Sequence, residues 1–511
     1  MLIVLAWTAT IIALLYGFEN WRGRRAWNKA RHQMEARGEL LDFKAFIPER
    51  IVPEQNFAAT PFVESWFVRG VNGEQLWNDE FGRASGKVSA PPRGERHSRN
   101  FTDLAAWEMA FAAARSGQKD TADKLISEKL DDEARARAAP AVVEALKSSE
   151  SHLAELRAAS RRPYARYPIN YKLDDPWGIL LPHLAKAKSA CQRLELRACA
   201  KLAMGKTDEA LDDVKLTLYI ADSLKGEPIL MSYLVRLDCV QIAMQPIWEG
   251  LAGHRWSDSQ LQQLQKQLQQ YDFLADIDHP LDAERAAGIL TADLLYRQKY
   301  TLGMLLDETT SQLDFFGGWL GTFLGRIAPR GWYYQEQVNH CRLHDRQMQG
   351  SFDVGQKRVF PRQIESNARA LEGEVAGGRW GKTLNAVVHH RLLATLLLPS
   401  LGRIPLRGAM AQTASDQGAL ACALERCRLA NGQFPEKLEA LVPQFTAQLP
   451  TDVLGGEPYK YRRTTDGQYV LYSVGWNEKD DGGVPGRTLF HDKEGDWVWQ
   501  FPQKQQSRQA Q

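Results

Sequence analysis

Glu336, His340 and His344 recur at i, i+4 and i+8, so a helix would carry all three on one face, with Cys341 and Asp345 beside them. Two imidazoles one turn apart have the spacing at which a helix holds a transition metal, and the carboxylate one turn earlier would complete a ligand set. The stretch His340-Cys341-Arg342-Leu343-His344 lacks the glutamate that follows the first histidine in zinc-protease helices. Solvated or hydrogen-bonded helix histidines are the plainer reading. His389-His390-Arg391 reads as a polar helix end before an apolar run, and Asp174-Asp175 and Asp212-Asp213 are paired carboxylates without a convergent partner in sequence. The chain contains no Walker loop, Gly-rich dinucleotide fingerprint or G-x-S-x-G elbow. No catalytic residue and no organic cofactor is therefore assigned, and the expectation is a protein that is not an enzyme.

The elements that must position these groups belong to a chain of 511 residues, which at roughly 150 residues per unit suggests about three structural units. Hydrophobic residues make up 44% and charged residues 25%, enough apolar material for a real core and too little for a polytopic membrane protein. Lys and Arg total 64 against 62 Asp and Glu, so there is no bulk basic field of the kind that draws a molecule onto nucleic acid. Cys191, Cys199, Cys239, Cys341, Cys422 and Cys427 form neither a CxxC pair nor a dense framework, and read as small buried apolar residues.

Leu2 to Phe18 is a run of seventeen residues without a charge, and as a helix it nearly matches the hydrocarbon core of a bilayer. No basic residue precedes it and no small-x-small cleavage site follows, which favours an uncleaved single-pass anchor over a signal peptide. Tyr16, Phe18 and Trp21 supply interfacial rings at one end, and Arg22, Arg24, Arg25, Lys29 and Arg31 follow immediately. By charge, that cluster stays in the cytoplasm. The expected location is the inner membrane.

Residues 19–100 open with this basic juxtamembrane helix and continue as a Pro- and Gly-rich irregular connector packed on the surface. A helical, repeat-like domain is expected over 101–385. Within it, Leu194 to Leu224 contains two amphipathic runs around Gly205-Lys206-Thr207-Asp208 and resembles one helix-turn-helix unit of a tetratricopeptide repeat. Ser257-Asp258 is expected to cap a helix with Leu261, Leu264, Leu268 and Tyr271 on one face. Phe315 to Leu324 is the second most apolar stretch, too short and Gly-rich to span, and reads as buried or at a membrane surface.

Residues 386–511 change character. An apolar run from Leu392 to Leu406 leads into a helix that stops at Asn431-Gly432 before Phe434-Pro435. The stretches Gly455 to Tyr461 and Gln468 to Ser473 flank Thr465-Asp466-Gly467, a hairpin signal.

This order resembles the pseudopilins of type II secretion systems. The matching positions are Asn431, Gly432 and Pro435; Asp452, Pro458 and Tyr461; Tyr472, Ser473 and Gly475; and Asp480, Asp481, Gly482 and Gly483. The resemblance covers about residues 390 to 499 and implies a long helix followed by a small antiparallel sheet. A true pseudopilin starts with a leader and a cleavage step directly before its helix, whereas here the related helix lies far inside the chain. The module is therefore expected as a carried domain that neither matures nor polymerises. The whole chain is also similar to uncharacterised membrane-anchored bacterial proteins.

Major pseudopilins bind calcium in their acidic loop, and the resemblance carries that role to Asn477, Asp480, Asp481 and Asp496, whose oxygens suit a hard cation. A plain solvated turn is the alternative. Together these readings predict a mainly α fold with a small C-terminal α+β part, and an N-terminal transmembrane helix. The expected function is a membrane-anchored, non-catalytic scaffold or interaction protein of the bacterial envelope, related to secretion or pilus-like systems. Its partners would be the membrane, through residues 2–18, and proteins of unassigned identity, with no nucleic acid and no identified small-molecule substrate. Two alternatives stay open: a metal-dependent enzyme using the helix histidines, or a calcium-stabilised envelope protein. The resemblance also puts the head on the periplasmic face, against the charge argument, so the side of the membrane is left open.

Overall fold

Leu2–Ala36 forms one uninterrupted helix of 35 residues. The computed structural model describes residues 1–68, 80–88, 99–116, 132–299, 327–375, 382–491 and 493–500; the apolar stretch from Phe315 to Leu324 lies outside them. The fold is mainly helical, with a small antiparallel sheet near the C-terminus.

The first helix, called the anchor helix after the role the sequence leads one to expect of it, changes environment along its length. Ile3, Val4, Leu5, Trp7, Ile11, Ile12, Leu14, Leu15 and Phe18 are all exposed, on every face, and the segment is long and apolar enough to cross a membrane. From Gly23 onward the same helix is packed. Trp27 and Met34, seven residues apart and hence on one face, are buried with Cys341 and Ile289.

The surface that receives it is the docking helix, Arg330–Met348. At one end the Gly331 N–H donates to Asn20 Oδ1 at 2.8 Å, and at the other Arg37 reaches Asp345 at 3.3 Å, so the two helices run parallel. Gly23 meets the Gly331 backbone with no room for a β-carbon, and a β-carbon on Gly331 would strike the Glu19 carbonyl and the Asn20 backbone of the first helix. Glycine pairs allow such close approach because no side chain intervenes.

The helical body centres on Pro182–Ala203, Thr207–Asp222 and Leu230–Ala252. The first two form the expected antiparallel pair around Gly205, which takes φ +74°, and the third packs against both. Asp213 is fully buried between them and accepts from Arg197, Lys201 and Arg157. Of the pairs Asp174-Asp175 and Asp212-Asp213, the latter thus supplies a buried ion-pair hub, while Asp175 closes a turn by accepting from the Gly178 N–H at 3.0 Å. Ser257 caps Asp258–Leu268 in a reciprocal capping box with Gln260, and Leu261, Leu264, Leu268 and Tyr271 are buried as expected.

The connector does more than cover the surface. Phe57, Val63 and Trp66 are buried in the main core. Asn56 holds this segment in place by accepting from Ala58 and Arg166 N–H groups and donating to the Arg166 carbonyl, so short 3₁₀ turns place large side chains where no helical period foretold them.

The apolar run from Leu392 breaks into Leu392–Leu397 and a 3₁₀ segment carrying Pro399 before the long helix Ile404–Asn431 begins. That helix ends as expected, with Gly432 left-handed at φ +79°. From Gly408 to Cys427 it has no exposed residue, because Leu230–Ala252 and Asp258–Leu268 cover one face and the sheet covers another. Gly418, for instance, lies against Leu268, Met244 and the Trp499 ring. One continuous apolar cluster therefore runs from Phe57 to Trp499, across the expected boundary at residue 386.

A short antiparallel pair, β1 Phe352–Asp353 with β2 Arg358–Val359, precedes the C-terminal sheet, whose order is β3-β4-β5, all antiparallel: β3 Lys460–Arg463, β4 Tyr469–Ser473 and β5 Trp497–Gln500. Arg463 pairs with Tyr469 across the expected Asp-Gly turn, where Gly467 takes φ +82°. All five residues of β4 are buried, because the long helix covers one face while Gly483 of the acidic loop lies over Val470 and Tyr472 on the other.

Candidate functional site

Two charged regions and one apolar one stand out. A cleft of about 720 Å³ opens where the anchor helix ends beside the docking helix and the helix Asp278–Tyr296. Arg37, Arg285, Arg342 and Arg346 line it together with Glu39, Asp278, Asp282, Asp345 and His344. Arg285 is its centre. Though nearly buried, its guanidinium reaches Glu39 at 2.6 Å, Asp282 at 2.9 Å and Asp345 at 3.1 Å, which offsets the cost of removing the charge from water. Arg342 and Arg346 both pair with Glu374, on the helix Pro361–Val375. No local pattern in the sequence foretold this cleft, whose charges come from three segments distant along the chain.

The three residues read as a metal set do lie on one helix, but the fold uses them differently. Glu336 accepts from the Leu392 and Leu393 N–H groups at 3.0 and 3.1 Å, so it caps the short helix that starts there. Burial pushes its carboxyl up to about 7 against the pull of those two donors. His340 is buried against Gly288, where a β-carbon would strike the imidazole. Burial, followed by the neighbouring His344, depresses His340 to about 3, so it is neutral in the fold at ordinary pH. The rings of His340 and His344 lie 6.4 Å apart, and His344 Nδ1 stays 3.8 Å from the nearest Asp345 oxygen. Cys341 between them is buried and pushed up to about 12, an inert thiol. The His390 ring lies tilted 5.2 Å from that of Trp332, and Asn339 donates to the His390 carbonyl, in keeping with a polar helix end.

The acidic loop brings all four of its predicted residues together. Asp496 is fully buried and accepts from the Gly483 N–H at 2.6 Å and the Asp481 N–H at 3.2 Å. Asp480 accepts from the Tyr472 hydroxyl and the Gly482 N–H, both at 3.0 Å, while Asn477 donates to Asp481 at 2.8 Å. Burial pushes Asp496 up to about 6, the two donors oppose this, and Asp481 and Asp480 add to it. These oxygens thus already accept hydrogen bonds that close the loop. Among the described residues, no three His, Cys, Asp or Glu side chains are grouped so as to hold a metal ion.

Other motif positions bond to one another. Asp452 accepts from the Ser473 hydroxyl at 2.8 Å and from the Leu454 and Val474 N–H groups. Tyr461 donates to the Pro435 carbonyl at 2.6 Å, joining the hairpin to the chain that leaves the long helix. Gly475, at φ +72°, passes so close to the Gly495 carbonyl that a β-carbon would not fit.

Comparisons with protein-family models, with curated proteins and with solved structures find no match. The functional reading therefore rests on the anchor helix, the cleft at its far end and the self-bonded C-terminal sheet. Along the anchor helix, Trp21 and Arg37 are separated by roughly 24 Å at 1.5 Å per residue, so the cleft stands well away from the apolar segment.

Proposed function

We propose that this chain is a single-pass, membrane-anchored, non-catalytic interaction protein of the bacterial envelope, with its folded body on the cytoplasmic side. One observation carries the reading. A single helix is apolar and exposed on every face through Phe18, then becomes a packed helix of the body without a break. An apolar surface of that extent is unfavourable in water and favourable in lipid. The side follows from charge: Arg22, Arg24, Arg25, Lys29 and Arg31 are exposed immediately on the body's side of the apolar segment.

The charged cleft is the place this reading gives to a protein partner. Its equal numbers of cationic and acidic residues suit a surface that also carries both signs, where complementarity fixes register and suppresses wrong pairings. The C-terminal sheet fits as a structural module, since its motif residues bind each other. Likeness to pseudopilins supports a relation to secretion or pilus-like assemblies.

Fusing alkaline phosphatase after Gln511 tests the orientation. A membrane-bound but inactive fusion is expected. An active, membrane-bound phosphatase would place the body outside the cytoplasm and overturn the assignment.

A further inference from the structure

Resting on the membrane-anchored reading, we infer that the first turns of the packed part of the anchor helix, with the start of the docking helix, form a binding surface for anionic phospholipid headgroups. Between residues 19 and 31 the chain carries five cations against the single carboxylate of Glu19. Glu19 is taken by Arg22 at 2.8 Å, and Arg31 is taken by Glu35 at 2.7 Å. Arg24, Arg25 and Lys29 are exposed and meet no acidic side chain among the described residues.

Position makes this charge useful. At 1.5 Å per residue, Arg22 to Arg25 lie within about 6 Å of Trp21 along the helix, the depth of a headgroup layer. Parallel packing brings a second cation to the same level. Gly331 bonds to Asn20, so the exposed Arg330 stands beside the point where the anchor helix leaves the apolar region. Aromatic rings accompany both sets: Arg25 lies over Trp21 at 5.4 Å and Arg330 over Tyr296 at 5.2 Å. Rings of this kind prefer the interface, and guanidinium groups beside them are placed to reach phosphate oxygens bidentately. The close Gly23–Gly331 crossing fixes the two helices against each other, so the cations on both are presented together instead of on independent segments.

The test uses the full chain reconstituted into vesicles of phosphatidylcholine with about 30% phosphatidylglycerol, an anionic lipid of the class that cationic juxtamembrane segments select. Spin-labelled phosphatidylglycerol and phosphatidylcholine report how strongly each lipid is held at the protein surface. The expected result is a preference for phosphatidylglycerol of at least roughly threefold at low salt, shrinking as salt screens the charges. The triple variant Arg24→Gln, Arg25→Gln, Arg330→Gln should lose the preference while remaining in the vesicles. Equal retention of both lipids by the wild-type chain, with the chain fully inserted, overturns the headgroup surface and leaves the anchor standing. A chain that does not enter vesicles of either composition overturns the anchor, and the headgroup surface with it.

Discussion

Gly23 of the anchor helix and Gly331 of the docking helix meet backbone to backbone, and the Asn20 side chain bonds the Gly331 N–H beside them. This crossing turns a helix end into a rigid joint between the apolar segment and the body. Gly331→Leu should therefore destabilise the folded body by about 1–3 kcal/mol, the usual cost of forcing volume into a packed contact. Thermal unfolding in detergent measures the loss, and retention in membranes should be unchanged because the exposed apolar segment is untouched. An unaltered melting temperature would contradict the joint.

His340 gives the body a specific response to acid. Its folded value of about 3 lies below the ordinary 6.5, so the unfolded chain binds more protons between these two values. Stability from this group is present above pH 6.5 and falls as pH drops toward 3, by roughly 1.4 kcal/mol per pH unit for one proton. His340→Gln should flatten the decline of the denaturant midpoint between pH 6 and pH 4 by about one proton. Identical slopes in the two proteins would remove His340 as the source.

Glu336 acts in the opposite direction. Its folded value of about 7 exceeds that of an ordinary carboxylate, so its neutral form favours the fold and stability is lost as pH rises through 7. Glu336→Gln keeps an acceptor for one of the Leu392 and Leu393 N–H groups without the charge, and its stability relative to wild type should climb between about pH 4.5 and pH 7 and level off above pH 7. Glu336→Ala removes the cap and should cost about 1 kcal/mol at acidic pH. A constant difference between the Gln variant and wild type across that range would contradict a raised carboxyl.

Asp452 and Ser473 test whether the C-terminal motif is structural. Ser473→Ala should cost about 1–3 kcal/mol, because it leaves a buried carboxylate oxygen short of a donor. Asp452→Ala should cost more, since the Leu454 and Val474 N–H groups lose their acceptor as well. A double-mutant cycle showing no coupling would separate the two residues energetically and refute the pairing.

The elements were more legible than their meetings. The capping box at Ser257, the αL stop at Gly432 and the Asp466-Gly467 turn are local, so residue type and spacing disclose them. The mainly helical fold with its small sheet followed from the same signals. The joint was hidden because nothing near Gly23 announces a partner more than 300 residues away. Glu336 read as a metal ligand because spacing along one helix is visible, whereas the N–H groups of Leu392 and Leu393 that occupy it are not. The connector looked superficial because Asn56 organises it through bonds to residues 58 and 166, not through a repeating apolar pattern. Arg285 and its three carboxylates escaped notice for the same reason: only Asp282 is a helical neighbour in sequence.

The central claim is that residues 2–18 hold the chain in a membrane. Alkaline extraction of isolated membranes, followed by intact-mass measurement of the retained protein, tests it most directly. The account predicts that the chain stays in the pellet with its apolar N-terminal segment attached. Release into the supernatant, or a mature chain that has lost that segment, would contradict it.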